Sequence, residues 1–163
     1  MDEAVHDGER PEQYVVRVAI DKARRISATH PDRVVLGADT TVVVDGAILA
    51  KPVDATDAVR MLRMLSGRWH EVLTGVAIAH GGAVIVRDVA VTRVEFASMG
   101  ADEIDWYVAT AEPMDKAGAY AIQGLASRFV TAVEGSYSNV VGLPVALVYA
   151  MLQRLTIRSP AGR

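Results

Sequence analysis

The sequence predicts one mixed α/β domain, and three observations carry that reading. Apolar residues recur at helical spacing in residues 11–27 and again between Asp54 and Gly67. They alternate at strand spacing over residues 84–96. Two glycine-bearing dipeptides, Asp45-Gly46 and Gly81-Gly82, each join two apolar runs, as hairpin turns do. With 163 residues, half of them hydrophobic, the chain can bury one sizeable core.

Taken in order, the first element is a helix from Pro11 to about Ser27. Its apolar stripe is Tyr14, Val15, Val18, Ala19 and Ile26, while Arg17, Asp21, Lys22, Arg24 and Arg25 lie mostly off it. Pro31 stops it. Strands at 34–44 and 47–50 follow around Asp45-Gly46, and Lys51-Pro52 ends the pair. Asp54 caps a second helix, with Asp57 at its third position, Met61, Leu62 and Leu65 on its buried face and Gly67 just past its end. Two long strands, Val72–Ala79 and Val84–Phe96, flank Gly81-Gly82. In the second, Val89, Val91 and Arg93 share one side and Ala90, Thr92 and Val94 the other. A helix from Asp102 to Ala111 closes at Glu112-Pro113. A loop with Gly118 and Gly124 leads to a strand near Phe129–Val133. Residues 135–143 read as a loop, Pro144 opens a last helix through Leu155, and residues 159–163 read as a frayed tail. No repeat or linker divides the chain.

Composition removes several function classes. The net charge of −3 gives no general attraction to a nucleic-acid polymer, although a pocket with a few local cations can still hold a small phosphorylated ligand. Without cysteine there is no disulfide, thiolate nucleophile or cysteine-bound metal. The acidic start MDEAVHDGER is unlike a signal peptide, and the longest apolar run, Val140–Leu152, is broken and too short to span a bilayer. A soluble cytoplasmic protein is expected.

The stretch from Leu36 to Gly46 carries the most chemistry. Asp39 interrupts apolar β-branched runs, and a carboxylate there is costly unless a cation or hydrogen bonds compensate it. Lys51, just past the return strand, and Lys22, on the preceding helix, are candidates for that role or for an anionic ligand. Carboxylate and lysines converging near a strand end suggest metal-assisted chemistry on a phosphate compound. A strand-end aspartate capping a turn with Thr40 and Thr41 explains the local residues equally well. His70 and His80 lack metal-ligand spacing and suit structural or surface roles, and Trp69, Trp106 and Tyr107 suit packing.

Five segments extend this reading: Gly37-Ala38-Asp39-Thr40; Lys51-Pro52; Met64-Leu65-Ser66-Gly67 with His70; Asp115-Lys116-Ala117-Gly118 through Gln123-Gly124; and Gly135 through Pro144. In this order, from about Asp2 to Leu155, they resemble the Maf family of nucleoside triphosphate pyrophosphatases. The resemblance implies a mixed twisted sheet with flanking helices and a substrate cleft. It also implies hydrolysis of the α–β phosphoanhydride with a divalent cation, Mg²⁺ or Mn²⁺, and a homodimer. The Asp-Lys-Ala-Gly…Gln-Gly form resembles the branch that prefers dTTP and UTP, and family members were first linked to inhibition of septum formation. By the same resemblance Asp39 is the general base, Glu3 and Asp39 hold the metal, and Lys22 and Lys51 contact the triphosphate. Thr40 and Gln123 fall on specificity positions; Lys116, a substrate-binding candidate in the same loop as Gln123, either helps fix the pocket or forms the loop's own ion pair with Asp115. The family also has an amino-terminal strand and a Ser-x-Ser-Pro-Arg-Arg phosphate loop that do not precede Glu3 here, so the domain, residues 1–163, is expected to be amino-terminally shortened. Arg68 and Arg93 are candidates to replace the missing positive charge. The competing expectation is a catalytically impaired nucleotide-binding or septum-regulating protein. A preference for methylated purine nucleotides is a third, against which the Gln123 loop argues.

Overall fold

A computed structural model describes residues 3–158; the expected frayed tail, 159–163, lies outside them. The elements are α1 (Pro11–Thr29), β1 (Val34–Val44), β2 (Ala47–Leu49), α2 (Ala55–Leu65), β3 (Trp69–His80), β4 (Ala83–Phe96), α3 (Ala101–Ala109), β5 (Val130–Glu134), α4 (Tyr137–Val141) and α5 (Val145–Arg158). Three 3₁₀ turns, Glu112–Asp115, Ala117–Ala119 and Leu125–Phe129, fill the segment between α3 and β5. Among the described residues no helix is long and apolar enough to cross a membrane.

The strands form one sheet in the order β2-β1-β3-β4-β5, and all four pairings are antiparallel. The α/β class is as expected, and the pairing is more uniform than the mixed sheet the resemblance implied. The two expected tight turns account for two of the pairings: Asp45 and Gly46 have φ of 50° and 77°, Gly81 and Gly82 of 58° and 80°. Successive positive φ values give the primed turns whose twist matches antiparallel strands.

Alternation sends each strand's side chains to two separate layers. Val43 and Leu73 meet Tyr14, Val15 and Val18 of α1 on one face. Val42, Val44, Val72, Val94 and Phe96 meet α2, α3 and the 3₁₀ segment on the other, where Val76 and Ile78 also meet Val148 and Met151 of α5. The contact of α1 with the sheet depends on two glycines. A Cβ on Gly37 would lie 2.4 Å from the Ala19 carbonyl oxygen, and one on Gly75 would lie 2.3 Å from that of Val15. The helix therefore rests directly on the backbone of β1 and β3.

Helix ends follow the expected chemistry, with two adjustments. Asp54 accepts the Asp57 amide at 2.8 Å, and Gly67 leaves α2 with φ of 69°. In α1 the buried line runs through Ala19, Ala23 and Ser27, whereas Ile26 is 51% exposed. Ser27 replaces Ile26 because its Oγ accepts the Gly82 amide of the β3–β4 turn at 2.9 Å. Within residues 135–143, expected as loop, lies α4, held by Ser136 at its start and by the buried Asn139.

Candidate active site

β2 is three residues long and pairs with β1 only at Val42–Val44. On that side β1 has no strand neighbour from Ala38 to Thr41 among the described residues, and a cleft of about 490 Å³ opens there. Because the cleft opens at the edge of a strand, side chains from both faces of β1 border it. Asp39 lies on the α1 side, in phase with Gly37 and opposite Gly75, and Thr40 lies on the other. Lys51, which follows β2, the Asp115–Ala117 turn and residues 140–142 complete the wall.

Lys22 of α1 donates from Nζ to Asp39 Oδ1 at 2.6 Å, and its ammonium also lies 3.4 Å from Glu3 Oε1. Two carboxylates from distant parts of the chain thus converge on one cationic position. The Asp39 side chain is only 12% exposed. Burial raises its pKa above the ordinary carboxylate value and outweighs the opposing hydrogen bond and charge of Lys22; Glu3 adds to the upward push. Burial works against the Lys22 ammonium, but the hydrogen bond and charge of Asp39, with Glu3 behind them, hold its pKa above that of an ordinary lysine. The arrangement is a buried carboxylate made more basic than usual, with a lysine held against it.

Lys51 is exposed and has no ion pair or hydrogen bond among the described residues, so its ammonium is available to an anion. Lys116 borders the same cleft and pairs with its neighbour Asp115, but both are substantially exposed, so the pair holds Lys116 only weakly. Their turn is brought in by Gly118, whose amide donates to the Ala50 carbonyl at 3.1 Å. Its φ is 67°, and a Cβ there would meet the Val42 side chain at 2.7 Å. The glycine of the Asp-Lys-Ala-Gly segment is thus what allows Lys116 to approach β1.

Thr40 is tied into the domain from behind. Its Oγ1 lies 2.8 Å from Thr74 Oγ1, its cross-strand partner, and 3.3 Å from the Gly142 carbonyl. Asn139 donates to the Val72 carbonyl and to Thr92 Oγ1, both at 3.0 Å, while the Thr92 hydroxyl donates to the Ser136 carbonyl. These bonds seat residues 136–142 on the sheet and fix the wall formed by Val140, Val141 and Gly142.

Asp39, Thr40, Lys22, Lys51, Lys116 and Glu3 all border this cleft. Gln123 does not: it is exposed, in the turn before Gly124. That turn is anchored by Glu112, which accepts from the Tyr107 hydroxyl at 2.7 Å and the Leu125 amide at 3.0 Å, with its carboxylate lying where a Cβ on Gly124 would sit. Arg68 and Arg93 also lie outside the cleft. Arg68 pairs with Asp45, and Arg93 pairs with Glu134 at 2.8 Å over the Trp69 ring. Tyr14 and Tyr120 also border the cleft, although the sequence places Tyr14 only in the apolar stripe and does not single out Tyr120. The signal for Tyr14 was its hydroxyl, since an aromatic with a polar tip suits a half-wet wall.

His70 is structural, as expected. It is 2% exposed, with Nε2 2.8 Å from the Tyr120 hydroxyl and its ring edge-on to Phe96. Burial lowers its pKa from 6.5 to about 4. Between those values the unfolded chain binds the proton and the folded one does not, so stability falls as pH drops through that window and is level in this respect above it. The loss should total about 3 kcal/mol across the window, at about 1.4 kcal/mol per pH unit. Thermal melts of the wild type and of His70→Gln at pH 4.5, 5.5 and 7 should show a shallower pH slope in the variant. Parallel slopes would remove His70 as the cause.

A family model described as Maf-like protein matches residues 1–155. A dTTP/UTP pyrophosphatase of Koribacter versatilis (strain Ellin345) is 54% identical over 147 residues, covering 90% of this chain and 76% of the relative. One from Anaeromyxobacter dehalogenans (strain 2CP-C) is 55% identical over 156 residues, covering 94% and 78%. One from Myxococcus xanthus (strain DK1622) is 48% identical over 162 residues, covering 98% and 81%.

Proposed function

Since this chain belongs to the Maf family, we propose that it hydrolyses dTTP and UTP to the nucleoside monophosphate and pyrophosphate. The observation that carries the reading is the buried Asp39 carboxylate, held against Lys22 in a cleft that Lys51 and Lys116 also border. Relatives about half identical over most of their length bear the name of that activity. In the step itself, water oxygen bonds to the α-phosphorus as the bond to the α–β bridging oxygen breaks. Asp39 takes the water proton, and the electron pair leaves with pyrophosphate. Asp39 is placed for that role by its position in the cleft, with Lys22 bonded to its Oδ1, and a positioned carboxylate is an established kind of general base. Lys51 and Lys116 bind the triphosphate, and Lys22 orients Asp39 and faces the developing charge. Thr40 contacts the nucleoside. The reading carries with it a homodimeric enzyme acting in the cytoplasm.

The residues present fit a divalent cation. Among the described residues no three His, Cys, Asp or Glu gather as a ligand set, but Mg²⁺ commonly takes one or two carboxylates and fills its shell with substrate phosphates and water. Glu3 and Asp39, which already share one cationic partner, would supply those carboxylates. A bound cation would neutralise phosphate charge and acidify the attacking water.

The test is pyrophosphate release from dTTP, UTP, CTP and GTP with Mg²⁺ or Mn²⁺. Turnover of dTTP and UTP well above the other two is expected. Tight nucleotide binding without release would transfer the assignment to a binding protein.

A further inference from the structure

The segment from Glu3 to Arg10 has no helix or strand, yet side chains of α1 hold it in place. The Tyr14 hydroxyl donates to the Glu3 carbonyl at 3.0 Å, and Arg17 Nη2 donates to the Ala4 carbonyl at 2.8 Å. Arg17 also grips Glu9 through both carboxylate oxygens, Nε to Oε1 at 2.7 Å and Nη2 to Oε2 at 2.9 Å. The Glu9 amide in turn bonds the His6 carbonyl at 3.0 Å. The segment is thus fastened at both ends to residues one turn apart on the helix that carries Lys22. Glu3 is the residue this fastening delivers to the cleft: its backbone is held by Tyr14, and its side chain, 52% exposed, reaches to 3.4 Å from Lys22 Nζ.

We propose that Tyr14 is a positioning residue for the cation site, acting through its hydroxyl bond to the Glu3 carbonyl. This rests on the reading that Glu3 and Asp39 hold the divalent ion. A carboxylate on a segment without helix or strand samples many positions unless side chains hold the segment, and holding it for an ion costs ordering entropy. Tyr14 meets that cost in the folded protein before the ion arrives. Its ring packs with Val15, Val18, Val43 and Leu73, so the hydroxyl leaves a rigid base rather than a mobile side chain. Groups that orient metal ligands are typically worth about 10–100-fold in metal affinity or activity.

Tyr14→Phe removes the hydroxyl and keeps the packed ring. In Mn²⁺ titrations without nucleotide, the variant should bind about tenfold more weakly than wild type, with an unchanged melting temperature confirming the fold. Glu3→Gln should show a loss of similar or greater size. Adding Tyr14→Phe to Glu3→Gln should cost nothing further, because the hydroxyl acts only through the carboxylate. Unchanged Mn²⁺ affinity in Tyr14→Phe, equal losses in both backgrounds, or no Mn²⁺ binding by the wild type would each overturn the proposal. If the wild type binds Mn²⁺ but releases no pyrophosphate, the proposed hydrolysis fails while the titration still decides the role of Tyr14.

Discussion

Replacing Asp39 by Asn should lower pyrophosphate release from dTTP and UTP by at least ~10³-fold, within the range that a positioned general base contributes. The loss should fall on kcat, because the amide keeps the shape of the carboxylate and can still accept from Lys22 while lacking the basicity. It removes one charge from a side chain that is only 12% exposed and one counter-charge from a lysine that is 31% exposed, so Lys22 remains hydrated and the fold persists. Asp115→Asn is the informative control, since Asp115 borders the same cleft but is exposed, with its carboxylate bonded to the adjacent Lys116 and to its own backbone amide. It should change kcat by less than about twofold, as an exposed ion pair contributes little. Steady-state kinetics with a thermal melt of each variant decide the matter: turnover by Asp39→Asn within tenfold of wild type would remove Asp39 as the base.

What could be read from residues alone, and what could not, follows the range of the forces involved. The hairpins at Asp45-Gly46 and Gly81-Gly82 and the capped helix at Asp54 depend on neighbours a few residues apart, and they formed as expected. Ile26 and Ser27 exchanged places because a hydrogen bond to Gly82, 55 residues away, outweighed apolar spacing. Helix α4 escaped because five residues are too few for a periodic signal, and it is held by Ser136 and by bonds from Asn139 to β3 and β4. In the site, Asp39 stood out because a carboxylate within an apolar strand needs compensation, and Lys22 supplies it. Lys51, Lys116 and Thr40 reached the cleft by the path of the chain around β1. Gln123 did not, because the direction of a turn depends on what anchors it, here Glu112, and no local pattern encodes that.

Gly75→Ala should be among the most damaging glycine-to-alanine changes at the described residues. The added Cβ would lie 2.3 Å from the Val15 carbonyl carbon and oxygen and 2.6 Å from the Val16 amide nitrogen. All three are helix backbone atoms, which cannot swing aside as a side chain would, so α1 must lift from the sheet. Overpacking a closed interior typically costs 1–3 kcal/mol, and a rigid neighbour places this site at the top of that range: about 3 kcal/mol, or about 9 °C in Tm for a chain of this size. Gly100→Ala is the comparison, because its Cβ would meet only the end of the Glu103 side chain at 3.7 Å and its φ of −71° suits any residue. It should cost no more than about 1 kcal/mol, because the loss of an N-cap glycine is offset by the lower entropy of the unfolded chain. The larger consequence is chemical. Gly75 lies directly opposite Asp39, while Lys22 and Tyr14 sit on the helix that would be displaced, so the 2.6 Å bond between Lys22 and Asp39 cannot survive the lift unaltered. Activity of Gly75→Ala should therefore fall about tenfold even at temperatures where the variant is fully folded, as a misplacement near 1 Å can cost more than that. A variant that melts early yet turns over normally would mean that Asp39 does not need Lys22 in register. A variant that melts with the wild type would mean that α1 stands further from the sheet than these contacts require.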